Sequence, residues 1–152
     1  MSEPIEFTDT TPRHGLPYLI AGQVQKELFV NESLARIDAL LHPVATAVTS
    51  SPPPAPGPGK CWIVAPGASG DWTGKDDSLA FWDGAQWTFI SPHAGMSVYV
   101  ADRSSLALYD GAWHQAQTPP LPQGGTTIDA QARTAIQAIV AAMKSVGIIS
   151  EN

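Results

Sequence analysis

The chain has 152 residues, of which 43% are hydrophobic and only 14% charged, with a formal net charge of −6; soluble domains usually carry about 25% charged residues. This length fits one domain or a small domain with appended helices, and so few charges predict burial against copies of the same chain, a homo-oligomer, over a Ser/Thr/Gln-coated monomer. With 8 Lys and Arg there is no basic field for nucleic acid or an anionic membrane, and the lone Cys61 excludes an intrachain disulfide framework.

Residues 1–15, MSEPIEFTDTTPRHG, contain acids and no apolar core segment. They read as a flexible arm without a secretory signal, so synthesis is expected in the cytoplasm. No stretch approaches the ~20 apolar residues of a membrane span.

Residues 16–43 read as a helical attachment segment. Asn31 is a good N-cap, Glu32 sits in the first turn, and Leu34, Ile37, Leu40 and Leu41 recur at helical spacing. Residues 22–28 suggest a shorter preceding helix, with Phe29 and Val30 at the joint, and Pro43 ends the pattern.

Five prolines and two glycines within SSPPPAPGPGK predict a semi-extended linker over 50–59. Residues 60–117 then carry an internal repeat. GKCWIVAP and LAFWDGAQWTF of one copy return as GMSVYVAD and LALYDGAWHQ of the next. Gly59 to Gly95 is an offset of 36 residues and Asp83 to Asp110 an offset of 27; the difference is an insertion in the first copy, within GASGDWTGKDDS. Each copy reads as a strand, a loop and a hairpin turned by Asp-Gly, because Gly tolerates the positive φ that a tight turn demands. Two such units predict a small antiparallel β-domain.

A second linker, 118–125, leads to a helix over 126–147. Thr126 and Asp129 form an S/T-x-x-D start, Lys144 stands in the last turn and Gly147 stops it. Ile128, Ile136, Ile139 and Met143 belong to an apolar stripe with few charges, which predicts packing on copies of itself or on a sheet face. The fold class is therefore α+β, mainly β: a two-fold-repeat β-domain flanked by an N-terminal helical segment and a C-terminal oligomerising helix.

Chemistry is sparse. Cys61 has no neighbouring His, no G-x-S-x-G occurs, and His14, His42, His93 and His114 have no metal-ligand spacing. No catalytic residue, metal or cofactor is expected. The candidate contact residues are carbohydrate-binding ones: Trp72 as an exposed platform on the insertion, with Asp71 and Asp76 beside it, and Trp87. Acid–Gly clusters such as GDWTGKDD also make ordinary turns. For attachment and oligomerisation the candidates are Leu34, Ile37, Leu41, Ile128, Ile136, Ile139 and Met143.

LPYLIAGQVQKELFVNESLARIDAL carries Leu16, Pro17, Leu19, Gly22, Gln23, Gln25, Lys26, Asn31, Glu32, Leu34, Asp38 and Leu40 in a pattern that resembles the signature of an alphaproteobacterial family. That family is a domain of unknown function found in prophages and gene transfer agents. The tryptophan- and glycine-containing phrases at 59–65, 70–74, 82–87, 92–95 and 100–111 are similar to its β-part. Residues 129–149 resemble tails appended to phage fibre proteins. The resemblance implies a virion component on the capsid surface, a head spike or spike base. Its implied partners are capsid vertex proteins and a spike fibre protein, in a trimer or pentamer. It also implies support of attachment to recipient cell-surface polysaccharide, which a carbohydrate-binding module would instead bind directly.

Overall fold

The two Asp-Gly pairs turn two hairpins. Gly84 and Gly111 have φ of +112° and +82°, and Asp83 Oδ1 accepts the backbone N–H groups of Ala85 and Gln86 at 2.7 and 2.8 Å. The side chain thereby closes the turn ahead of the backbone. Around these hairpins a computed structural model describes residues 9–14, 16–19 and 26–150, with the side chains of 26–28 left aside. The chain divides into two units, Met1–Ser91 and Pro92–Asn152, and among the described residues the fold is α+β and mainly β.

The first unit holds α1 (Lys26–Leu40), β1 (Val44–Thr49), β2 (Cys61–Val64), β3 (Leu79–Trp82) and β4 (Trp87–Ile90). Strands β2, β3 and β4 form an antiparallel meander, and β1 joins it in parallel with β2. The pattern of the sequence does not announce β1. VATAVT alternates only small and β-branched residues over six positions, and its partner lies beyond the prolines. The proline-rich segment is consequently no separator of domains. It is the crossover that two parallel strands require, and it is tied down at its ends by Ser69 N–H to Ser50 O and Gly59 N–H to Trp82 O (2.9 and 2.8 Å).

The second unit holds β5 (Ser97–Val100), β6 (Ser105–Tyr109), β7 (Trp113–Gln115) and α2 (Ala130–Ser145). Strands β5, β6 and β7 repeat the antiparallel meander. The equivalence reaches individual hydrogen bonds. Gly59 N–H donates to Trp82 O, as Gly95 N–H does to Tyr109 O, both at 2.8 Å. Trp82 N–H donates to Lys60 O, as Tyr109 N–H does to Met96 O, both at 2.9 Å. The paired aromatics beside each turn also correspond: Trp82 and Trp87 at 5.0 Å, Tyr109 and Trp113 at 5.2 Å.

Three expectations at the N-terminal side are corrected. Residues 9–14 are no loose arm: Thr11 N–H bonds Leu16 O, Tyr18 N–H bonds Asp9 O, and the fully buried Asp38 accepts the Thr11 hydroxyl and the N–H groups of Arg13 and His14. Asn31 is not an N-cap but lies inside α1, where its amide both accepts from and donates to the backbone of Leu19 (2.8 and 3.1 Å). Phe29 and Val30 are likewise helical rather than a joint; the earlier helix expected over 22–28 begins outside the described residues. Arg13 completes the strap. Its guanidinium donates to the Asp38 and Ala39 carbonyls, orphan acceptors in the last turn of α1, and to those of Leu41 and His42 just beyond it.

At the other end, Asp129 caps α2 by accepting Ala132 N–H at 2.9 Å, so the helix starts one turn later than expected and Ile128 lies outside it. Gly147 ends α2 in a Schellman arrangement: Gly147 N–H bonds Lys144 O and Ile148 N–H bonds Met143 O, each at 3.0 Å. Its φ is +70°, and an added Cβ would stand 3.1 Å from the Tyr99 ring. The chain then returns to the sheet, with Gly147 O accepting Leu106 N–H (2.7 Å), Ile149 bridging Ala116 and its side chain buried.

Candidate binding cleft

The insertion in the first copy folds as a 3-10 turn, Gly70–Trp72, that drives its indole inward. Trp72 is 0% exposed. It meets Trp62 at 6.4 Å and stands edge to face with Trp87 at 5.1 Å and 86°. Val64 and Ala80 lie in the same cluster. The Trp72 Nε1–H is the one buried side-chain polar atom without a hydrogen-bond partner among the described residues; edge-to-face packing on π clouds is the environment it has instead. The expected exposed platform at Trp72 is therefore overturned: an indole among glycines on a loop fills the hollow over β2 and β3. Asp76 is also committed elsewhere, accepting Gly67 N–H and Ala68 N–H at 3.2 and 2.9 Å. Asp71 is exposed on the 3-10 turn. Among the described residues no group of three or more His, Cys, Asp and Glu could hold a metal ion, and no helix is long and apolar enough to cross a membrane.

Of the four sugar-contact candidates, Trp87 lines the cleft between α1 and the β3–β4 hairpin. An opening of about 560 Å³ lies between α1 and the β3–β4 hairpin, walled by Tyr18, Asn31, Glu32, Arg36, Asp83, Gln86 and Trp87. The Trp87 ring is half-buried and held from behind by Trp62 (5.6 Å), Trp72 and Trp82. Asn31 is fixed by Leu19, and Glu32 and Arg36 pair at 2.8 Å one helical turn apart. With Oδ1 of Asp83 used by the turn, the Asp83 Oδ2, the Gln86 amide and the Tyr18 hydroxyl remain as polar groups around an aromatic wall. Burial raises the pKa of Tyr18 above the usual phenol range, aided by the charges of Asp38, Asp83 and Asp9, so this hydroxyl stays protonated and able to donate. Such a cleft suits a neutral, polyhydroxylated or amide-bearing ligand better than a strongly charged one.

Sequence reasoning missed Tyr18, Asn31, Glu32, Arg36, Asp83 and Gln86 as lining residues because they come from segments far apart in the chain. The i,i+4 spacing of Glu32 and Arg36 was the only local signal.

The attachment candidates fall into two sets. Leu34 on α1 is half-buried, while Ile37 and Leu41 are exposed. Ile128, Ile136 and Ile139 are exposed and Met143 half-buried.

A family model described as a protein of unknown function, DUF2793, matches residues 30–114. The chain belongs to the DUF2793 family. The DUF2793 match starts inside α1 and ends in β7, so it includes both meanders and most of the cleft, and it leaves out the Arg13 strap and α2. No curated protein matches the chain.

Proposed function

We propose that this DUF2793 protein is a structural component of a phage-like particle, a homo-oligomeric head spike or spike base of a gene transfer agent. In this reading it lies on the capsid surface of the virion, contacts vertex proteins and a spike fibre protein, and supports attachment to the recipient cell. The observation that carries the assembly is α2. It has no buried residue, and Arg133 and Lys144 are its only charged side chains, a surface that water does not stabilise on an isolated helix. The resemblance of residues 16–40 and 129–149 to prophage and fibre sequences supplies the particle.

Two measurements test it. Particles banded on a density gradient from the encoding cells retain the chain, and immunogold places it at capsid vertices; a chain left wholly in the soluble fraction overturns the virion reading. Light scattering gives a trimeric or pentameric mass for the full chain, and Ile136→Gln with Ile139→Gln lowers it at unchanged circular dichroism. A monomeric mass for the unaltered chain overturns the assembly.

The cleft favours a second reading, direct binding of cell-surface polysaccharide by Trp87, Gln86 and Asp83. Capsule pull-down then falls at least about tenfold with Gln86→Ala, a loss of roughly 1.4 kcal/mol; equal capture by both proteins removes this reading.

A further inference from the structure

The internal repeat turns two hairpins with the same Asp-Gly-Ala sequence and holds them differently. Asp83-Gly84-Ala85 and Asp110-Gly111-Ala112 each lead from an aromatic strand end to a tryptophan, and Gln86 lengthens the first turn by one residue. In that longer turn Asp83 Oδ1 accepts the N–H groups of both Ala85 and Gln86, at 2.7 and 2.8 Å, an Asx turn that fixes the carboxylate over the loop. A Cβ on Gly84 would meet Pro58 at 3.4 Å, so the Pro-rich crossover packs against this turn as well.

The second turn has neither restraint. Asp110 and Gly111 are both exposed, and nothing lies within 4 Å of where a Gly111 Cβ would stand. The Asp110 N–H donates to Ala112 O at 3.0 Å, yet among the described residues the Asp110 carboxylate and the Gly111 N–H make no hydrogen bond. A free carboxyl group therefore stands beside an unbonded amide nitrogen, with no glycine side chain to screen the approach. We propose that Asp110 is a site of spontaneous covalent modification: it isomerises through a cyclic imide to a β-linked aspartate, while Asp83 is protected by its turn.

The reaction needs no reagent but water. The Gly111 nitrogen gives up its proton and bonds Asp110 Cγ; a Cγ–O bond breaks, and the hydroxyl of the protonated carboxyl leaves with that proton as water. Water then adds back at one of the two imide carbonyls. Opening at Cγ restores Asp110. Opening at the Asp110 α-carbonyl leaves the chain running through Cβ and Cγ, with no net change in mass or oxidation state. The β-linked product adds one carbon to the backbone of the tight turn between Tyr109 and Trp113, whose rings meet at 5.2 Å. It also leaves a free α-carboxylate there, the group that an S-adenosylmethionine-dependent isoaspartyl carboxyl methyltransferase esterifies.

The test incubates the full-length chain at neutral pH and elevated temperature, then maps its peptides by electron-transfer fragmentation, which separates aspartate from its β-linked isomer. The isomer is expected at Asp110 in at least about tenfold excess over Asp83, the factor that two turn hydrogen bonds supply. The aged chain is also expected to accept methyl groups from S-adenosylmethionine and a protein isoaspartyl methyltransferase. In urea, where both turns are lost, the two sites react at equal rates, because each lies in the same Asp-Gly-Ala sequence. A glutamine inserted after Ala112 gives the second turn the DGAQW sequence of the first and slows the reaction at Asp110. Equal rates in the folded chain, faster reaction at Asp83, or no isomer at either site overturns the proposal. So does a difference that persists in urea, since the sequence and not the turn would then set it. An unchanged rate at Asp110 in the inserted variant, at an unchanged circular dichroism spectrum, overturns it too; should the insertion unfold the hairpin, the comparison of folded and urea-treated native chain decides alone.

Discussion

The two meanders share strand order, Asp-Gly turns and backbone hydrogen bonds, yet they spend their side chains differently. The first, β2 to β4, is covered on both faces, by the Trp62, Trp72 and Trp87 cluster on one side and by the Arg13 strap on the other. The second, β5 to β7, lacks the tryptophan insertion and leaves Tyr99, Leu106 and Leu108 partly exposed among the described residues. A duplicated backbone therefore has one copy closed on both faces and one whose corresponding face is partly exposed among the described residues. The backbone pattern is preserved because Asp-Gly turns and aromatic pairs specify it locally. The covering is free to diverge because it comes from the insertion in the first copy and from the Arg13 strap outside the repeat.

Matched truncations break this comparison most sharply. Phe81→Ala removes a side chain from a closed face and is expected to cost about 3–5 kcal/mol, whereas Leu108→Ala, which removes a side chain only about half buried, costs about 1 kcal/mol in urea unfolding. Equal losses would mean that the second face is covered within the chain. Next is the strap itself. Asp38→Ala strands the Thr11 hydroxyl and two backbone N–H groups and lowers stability by about 1–3 kcal/mol, with Asp38→Asn restoring part of it in thermal melts. Gly147→Ala acts on the second unit alone. The left-handed backbone at φ +70° costs about 1–2 kcal/mol in a residue with a Cβ, and faster hydrogen exchange at the Leu106 amide, bonded to Gly147 O, reports it.

A pH dependence sharpens the contrast between Cys61 and its counterpart Ser97. Burial pushes the Cys61 thiol up to about 12, with the Arg13 charge and a backbone hydrogen bond at Trp62 opposing. Between pH 9 and about 12 the unfolded chain releases this proton and the folded chain keeps it, so stability falls as pH rises, by up to about 1.4 kcal/mol per pH unit; below pH 9 both states hold the proton and the thiol contributes no slope. Urea midpoints of the native chain are expected to decline more steeply above pH 9 than those of Cys61→Ala. Parallel declines would show that the thiol is not the source.

The hairpins, the repeat and the helical character of both flanks were legible because each is encoded locally, in Asp-Gly dipeptides, matched phrases and apolar spacing. What local pattern could not show is which partner a side chain serves. Asn31 has the chemistry of an N-cap, and its amide in fact binds the backbone of Leu19. Trp72 sits among glycines and acids like an exposed loop residue, yet the cluster behind it has room for an indole. The cleft stayed hidden for the same reason, since it is made where α1 meets a hairpin some fifty residues later in the sequence.

The short return at Gly147 to Ile149 has one more implication. The chain departs from the sheet at Ala116 and rejoins it beside that same residue, so everything between, linker and helix together, is a detour with a common door. An insertion at the exposed Gly124 and Gly125 would lengthen the detour and spare the door, and a fluorescent or affinity reporter placed there would leave the β-unit intact.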